Sequence, residues 1–357
     1  MYDFLPPIFT SLEPPDLELA FQRMQQVDVE PGMRIIEEGE QDPSLVIVVR
    51  GELDVMTGDT RLAKVGAGEI IGEMALFSSG LRTASVQTRS ACQLLLLDRS
   101  NYQWLRQVEH PLAFLIESHA LDQLTDRLRH VGDRIAALAE GTDVEHVTPS
   151  VGFFDRVASA FGSGGLMYPG AIDGPSVLGQ TDLFDGVEPK VLAEVASHFF
   201  PVAARRGHFL CTEGETGNDM FILASGLVDV VVATSGDKVE KVAALEAGEA
   251  FGMCALVQPD QPRMASVVVR EKMTGLSMGK ITWAEQANRY DKVGSALRVA
   301  MIRSLGDQLA YANAQLMMLD MAQRDRTALL RAGAGMEAYG AQLRNEDDRP
   351  AYLQGVD

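Results

Sequence analysis

Two long stretches of the chain carry the same punctuation, and a duplicated domain constrains the fold more than any other feature. EPGMRIIEEGEQDPSLVIVVRGELDVM in the first half is matched by ARRGHFLCTEGETGNDMFILASGLVDVV in the second. Gly39 pairs with Gly214 and Gly51 with Gly226 at an offset of 175 residues. Gly68 pairs with Gly248 and Gly72 with Gly252 at 180, and Arg82 with Arg263 and Ala84 with Ala265 at 181. An offset that grows in small steps is what lengthened hairpin loops leave inside a preserved core. The length of 357 residues suits two or three domains at roughly 100–200 residues each.

Each copy has the same internal order. A short amphipathic helical stretch opens it, Leu17 to Met24 and Val191 to Phe199. Short β-like runs follow, in copy one Met33–Ile36, Leu45–Val49, Leu53–Met56, Ser85–Val86 and Leu94–Leu97. Glycines and acidic residues separate them at the rhythm of an all-β sandwich or barrel. Gly51 and Gly226 each stand between two apolar runs, where a tight turn asks for a positive φ. A long helical segment closes each copy. Leu121, Leu124, Leu128, Val131, Ile135 and Leu138 recur at 3-4-3-4-3 spacing, as do Ile302, Leu305, Leu309, Ala312, Leu316 and Leu319. Such a seam lies on the helix's own barrel or pairs across a dimer.

Residues 141–180 separate the copies and hold an amphipathic segment over 150–161. Ser150 stands at its N-cap position, with Phe153, Phe154, Val157, Ala158 and Phe161 on one face. It reads as docking on the barrels, binding a partner or lying on a membrane; Arg156 as its sole cation weighs against the last. The expected division is a first domain over 1–140, a linker over 141–180, a second domain over 181–320 and a tail over 321–357, poorly ordered from 339.

Composition removes several function classes. Lys and Arg total 31 against 50 Asp and Glu, a formal charge of −19. Gripping DNA or RNA needs the opposite balance. Cys92, Cys211 and Cys254 are too few and too scattered for a disulfide framework or a zinc site. His110, His119, His130, His146, His198 and His208 have no metal-ligand spacing; a solvent-facing helix or loop position accounts for most of them. No apolar stretch approaches the roughly 20 residues of a membrane span, and MYDFLPPIFTSLEPPD lacks the basic and apolar regions of a secretory signal. The expected location is the cytoplasm. Gly-x-Ser-x-Gly, Cys-x-x-Cys and Walker sequences are missing, so no catalytic role is expected.

Chemistry concentrates in Gly72-Glu73-Met74-Ala75-Leu76-Phe77-Ser78-Ser79-Gly80-Leu81-Arg82-Thr83-Ala84-Ser85. Gly72 opens a short helical turn anchored by Met74, Leu76 and Phe77, and amides at a helix start attract anions. Arg82 offers a planar fork of donors that suits a phosphate. Glu73, acceptor-only when ionised, selects hydroxyls. One Arg, one carboxylate and a few amides fit a singly charged phosphate fused to a sugar, and Thr83 adds a hydroxyl for a base edge.

This segment resembles the phosphate-binding cassette of the cyclic nucleotide-binding domain, the β-roll module of the catabolite activator protein, protein kinase A regulatory subunits and cyclic nucleotide-gated channels. The Gly-Glu-x-Ala-Leu…Arg-[Ser/Thr/Ala]-Ala pattern carries the likeness, which covers about 10–135 and 183–320. The resemblance implies a mainly β fold with helices: two tandem β-roll domains (double-stranded β-helix, jelly-roll-like), each closed by a long C-terminal helix. It implies that Glu73 accepts from the ribose 2′-hydroxyl, Arg82 pairs with the cyclic phosphate, and Gly72, Met74, Ala75, Thr83 and Ala84 complete the cradle. Leu128 and Arg129 on the closing helix are the expected lid.

Copy two departs from the pattern. Gly252, Ala255, Arg263 and Ala265 remain, but Met253 replaces the carboxylate, Cys254 follows it, and Met264 replaces the hydroxyl. An apolar side chain accepts nothing from a ribose, so this half reads as a weaker nucleotide site, an empty structural domain or a site for a different ligand.

The resulting expectation is a cytoplasmic sensor of cyclic AMP, or else cyclic GMP, without a prosthetic group or metal. Nucleotide in copy one would move its closing helix to control a homodimer or an effector protein. A scaffold of degenerate β-rolls and a kinase-regulatory-type protein are the alternatives. Against the latter, its inhibitor arginines belong in an N-terminal arm, whereas Arg205-Arg206-Gly207 lies inside copy two. A transcription factor would need a recognition helix after Leu319, and no such pattern appears there.

Overall fold

A computed structural model of the chain describes residues 5–57, 60–77, 82, 84–140, 166–167, 170, 172–234, 238–257, 262–263, 265–309, 312–313 and 316. The 150–161 segment, Thr83, Met264, Leu319 and the tail expected over 321–357 lie outside the described residues, as do the side chains of Arg129, Ile135, Leu138 and Ala255.

Half one starts with helix α1 (Pro14–Gln22) and rolls eight strands into two antiparallel sheets. The strands are β1 (Gln25–Val29), β2 (Arg34–Ile36), β3 (Ser44–Arg50), β4 (Leu53–Thr57), β5 (Thr60–Val65), β6 (Ile70–Ile71), β7 (Ser85–Thr88) and β8 (Cys92–Asp98). One sheet runs β1-β8-β3-β6 and the other β2-β7-β4-β5. Helix α2 (Glu73–Phe77) lies between β6 and β7, and α3 (Arg99–Gln107) and α4 (Pro111–Glu140) close the half. The expected runs all appear, with β1, β5 and β6 in addition; these are polar, broken or two residues long and give little periodicity. The opening helix starts and ends earlier than its apolar pattern, because Pro14 and Pro15 take its first turn.

The run Leu45–Val49 is apolar throughout because β3 is covered on both faces. Val46 and Val48 point into the roll with Ile36, Leu53, Ile71, Val86 and Leu94. Leu45, Ile47 and Val49 face the helices, with Leu95 and Leu97 of β8. Gly51 has φ 99°, and a Cβ there would meet the Ala91 carbonyl at 2.6 Å. Only glycine allows that approach between β3 and β8.

Half two repeats the plan after two short helices, α5 (Gly174–Leu178) and α6 (Pro189–Ala196). Its strands are β9 (Phe200–Ala204), β10 (Phe209–Cys211), β11 (Asp219–Thr234), β12 (Lys238–Leu245), β13 (Ala250–Phe251) and β14 (Ser266–Gly279), followed by helices α7 (Cys254–Val257), inserted before β14, and α8 (Lys280–Ala287). The turn expected at Gly226 is instead a bulge inside one long strand, with register shifts on either side of it. Gly226 keeps the positive φ, 93°, and the same close approach, here to Met273. A final helix, α9, covers 292–309.

The two closing helices meet inside the chain. His110 caps α4: its Nδ1 accepts from the Leu112 amide at 3.1 Å, and its ring is buried rather than solvent-facing. Two turns later Glu117, 0% exposed, accepts from Tyr102 Oη at 2.8 Å, Ser295 Oγ at 2.6 Å and Arg298 Nε at 2.8 Å. Arg298, 2% exposed, also donates to the Arg289 carbonyl at 2.8 Å and lies over the Phe114 ring. Phe114 and Ser295, and Glu117 and Arg298, are each separated by 181 residues, the repeat offset of these helices. The halves therefore join around equivalent positions, with the anion on one helix and the cation on the other. The seam residues Leu121, Leu124, Leu128 and Val131 share one buried cluster with Ile302, Leu305, Leu309 and Leu316. Over these residues the periodic seam is filled within one chain, partly by the other half, and not by its own barrel alone.

Candidate functional site

Gly72, with φ 80°, turns the chain from β6 into α2. No side chain fits there, because a Cβ would overlap the Arg82 guanidinium lying across it. Arg82 is 4% exposed. Its Nη2 donates to Asp42 Oδ2 at 2.8 Å and Ser44 Oγ at 2.9 Å, and Nη1 donates to the Gly72 carbonyl at 3.3 Å. Among the described residues its buried Nε–H has no acceptor. Burial works to raise the Asp42 pKa, but hydrogen bonds from Arg82 and Ser44 together outweigh it and hold the carboxyl below its usual range.

Glu73 is the first residue of α2 and 1% exposed. Its Oε1 sits 2.6 Å from Arg127 Nη1 of α4, an ion pair outside hydrogen-bond angles. Arg127 continues a ladder along α4: it donates to Gln123 Oε1 at 3.2 Å, and Gln123 Nε2 lies 2.8 Å from His119 Nε2. These residues fall at i, i+4 and i+8 on one face. Burial lowers the His119 pKa against the opposing charges of Glu73 and Asp122. Gln123 can then donate to the neutral ring's Nε2.

The structure brings Gly72, Glu73 and Arg82 to one place, as the spacing requires. Met74 is half-buried and Ala75 is buried, its carbonyl accepting from Arg99 Nη2 at 2.6 Å. Ala84 is half-buried at the bend before β7. Of the expected lid, Leu128 is packed in the central core and the side chain of Arg129 lies outside the described residues; Arg127 of α4 pairs with Glu73 of the cassette. Asp42 and Ser44 were missing from the sequence reading. Asp42 lies in the β2–β3 connection and Ser44 opens β3, and half two keeps neither, having Gly217 and Asp219 in their places.

The second cassette has the same turn and different contacts. Gly252 has φ 86°, and a Cβ there would meet the Asp219 carbonyl at 2.7 Å and Arg263 Nη1 at 2.9 Å. Arg263 is half-buried and donates from Nη2 to the Asp219 carbonyl at 2.9 Å. Met253, 2% exposed, belongs to the central core. Cys254 Sγ donates to Gln308 Oε1 at 3.1 Å, and burial pushes its pKa to about 11, so it stays a thiol. Gln308 is the repeat equivalent of Arg127. Among the described residues no cluster of His, Cys, Asp and Glu could hold a metal ion, and no helix is long and apolar enough to cross a membrane.

Comparison with known proteins agrees with this duplication. The family model described as the cyclic nucleotide-binding domain matches twice, at residues 26–108 and 201–290. The chain is 26% identical over 225 residues to the cGMP-dependent protein kinase egl-4 of Caenorhabditis briggsae, covering 61% of this chain and 22% of the kinase. It is 27% identical over 104 residues to a CRP-like cAMP-activated global transcriptional regulator of Mycobacterium tuberculosis, covering 29% of this chain and 46% of the regulator. It thus spans between a fifth and a half of these relatives. A structure of the regulatory domain of Toxoplasma gondii PKA with cAMP aligns over 81% of this chain and 88% of that one, at 21% identity and a TM-score of 0.30. Each half of the duplication carries its own family match around its own glycine-turned cassette, and the chain belongs to the cyclic nucleotide-binding domain family as a tandem pair of β-roll domains.

Proposed function

We propose that the protein is a non-catalytic cyclic nucleotide sensor in which the first domain, spanning 1–140, takes the ligand. The second domain, 181–320, is the weaker or structural partner. Glu73 receives the ribose 2′-hydroxyl and Arg82 the cyclic phosphate, with Gly72, Ala75, Thr83 and Ala84 around them. Names among the relatives carry both cAMP and cGMP. The reading favours cAMP, in a cytoplasmic protein whose output is a contact with an effector or a second copy. The residues 141–180 join the two domains.

One observation carries the reading: the buried Glu73 carboxylate is tied to Arg127 on the closing helix. A hydroxyl arriving at Glu73 changes what holds α4, and a ligand shifts a helix only through contacts that differ between its positions. A test is titration with cAMP and cGMP, joined to amide hydrogen exchange over 111–140. Binding with altered exchange in α4 is the expected result; binding that leaves α4 unchanged removes the switch.

The scaffold reading draws on a different observation. Arg82 already holds Asp42 and Ser44, and Glu73 already holds Arg127, so both charges are compensated without ligand. It predicts no heat with either nucleotide.

A further inference from the structure

On the reading above, the first cassette is the ligand site, and the second half of the chain is fitted to it. Helix α9 presents Arg303 and Gly306 to half one. Arg303 Nε donates at 3.2 Å to the carbonyl of Phe77, the last residue of α2. Its Nη1 donates to the carbonyls of Asp182, Leu183 and Asp185 at 3.2, 3.0 and 3.2 Å. One guanidinium thus ties the end of the cassette helix to the turn that leads into half two. A cation at a helix C-terminus meets carbonyls that have no partner within the helix.

One turn further along α9, Gly306 carries no side chain, and a Cβ there would run into Met74 Cε. Met74 is the residue next to Glu73. The same face of α9 therefore holds the far end of α2 and makes room beside its near end.

The reverse contact is built differently. Helix α4 packs against α7, the second cassette helix. The equivalents of Arg303 and Gly306, 181 residues earlier, are Asp122 and Thr125. A carboxylate is the wrong charge for a helix C-terminus. Half two thus brings a cation and a gap to the first cassette, where half one has a carboxylate and a threonine at the equivalent positions.

We infer that Arg303 and Gly306 are positioning residues of the first nucleotide site: the closing helix of half two places α2, and with it Glu73, from outside the domain that binds. The second domain acts on the first site through this helix even with its own cassette lacking the carboxylate.

The test uses the full chain and two readouts on Arg303→Ala, Arg303→Lys and Gly306→Leu. The first is amide exchange over 73–77 without nucleotide. The second is titration with cAMP and cGMP. Arg303→Ala is expected to speed exchange over 73–77 while 254–257 stays unchanged, and to weaken first-site binding about tenfold, a typical coupling between sites. Arg303→Lys, which keeps the charge, recovers most of both. Gly306→Leu shifts both in the direction of Arg303→Ala by pressing on Met74, and tests the same contact should Arg303→Ala not fold. Affinity that stays unchanged in a chain that binds overturns the inference, as does exchange that rises equally in both cassettes. If the wild type binds neither nucleotide, the functional reading fails, and exchange alone decides: a rise confined to 73–77 upholds the placement of α2 by α9, and its absence ends it.

Discussion

The two cassettes share a backbone and differ in how charge is held. In both, a glycine with positive φ turns a two-residue strand into a short helix, and an arginine lies across the glycine. In half one the helix opens with Glu73, paired with Arg127, and Arg82 is paired with Asp42. In half two the same positions hold Met253, Gln308, Arg263 and Gly217, and the arginine is satisfied by a backbone carbonyl. The loss of the carboxylate and the loss of its cation go together. A buried charge without a partner is far costlier than a neutral pair, so the two positions change jointly. The duplicate keeps the geometry and sheds the electrostatics.

Returning one charge to half two tests this most severely. Met253→Glu should lower unfolding stability by about 3–5 kcal/mol, the cost of an unpaired buried charge. Adding Gln308→Arg should recover much of it, read by denaturant unfolding. No recovery would mean that the two cassettes are not built alike. The converse change, Glu73→Met, leaves Arg127 without its ion pair and removes the proposed ribose acceptor. It should cost about 1.5–3 kcal/mol of binding, roughly ten- to a hundredfold in affinity. Met253→Leu should leave affinity unchanged.

The smallest expected effect is in acid. The Asp42 pKa is held below its usual value, so the carboxyl contributes stability above about pH 4, and this is lost as pH falls through the folded pKa. Its side chain is partly exposed, so the contribution is no more than about 1 kcal/mol. Asp219 in half two shifts the other way, its pKa raised by burial against the pull of Arg263. It favours the folded state in acid and disfavours it as pH climbs from its usual pKa through the raised one. Asp42→Asn should therefore reduce the acid sensitivity of unfolding, and Asp219→Asn should increase it. The same sign for both would show that the cassettes do not differ electrostatically as described.

The duplication was legible because glycines with positive φ have few substitutes, so Gly39, Gly51, Gly68 and Gly72 print the repeat into the chain. The cassette was legible for the same reason, with Glu73 and Arg82 at fixed distances from Gly72. Arg127 was not, because helix periodicity gives a face and not a contact. Asp42 lies forty residues from Arg82 in the chain, and only the pairing of strands brings them together. The Glu117–Arg298 junction was hidden for a further reason. Its partners sit on different copies, and a 3-4 seam looks the same whether it is filled by a second chain or by the second half of one.

The central claim, that half one binds the nucleotide through Arg82, is tested most directly by calorimetric titration of the full chain with cAMP and cGMP, alongside Arg82→Ala and Arg263→Ala. The account predicts a site in the wild type that Arg82→Ala weakens by at least about a hundredfold, as expected for losing hydrogen bonds to a charged group, and that Arg263→Ala leaves intact. Binding that survives Arg82→Ala and disappears in Arg263→Ala, or a wild type that takes up neither nucleotide, would contradict it.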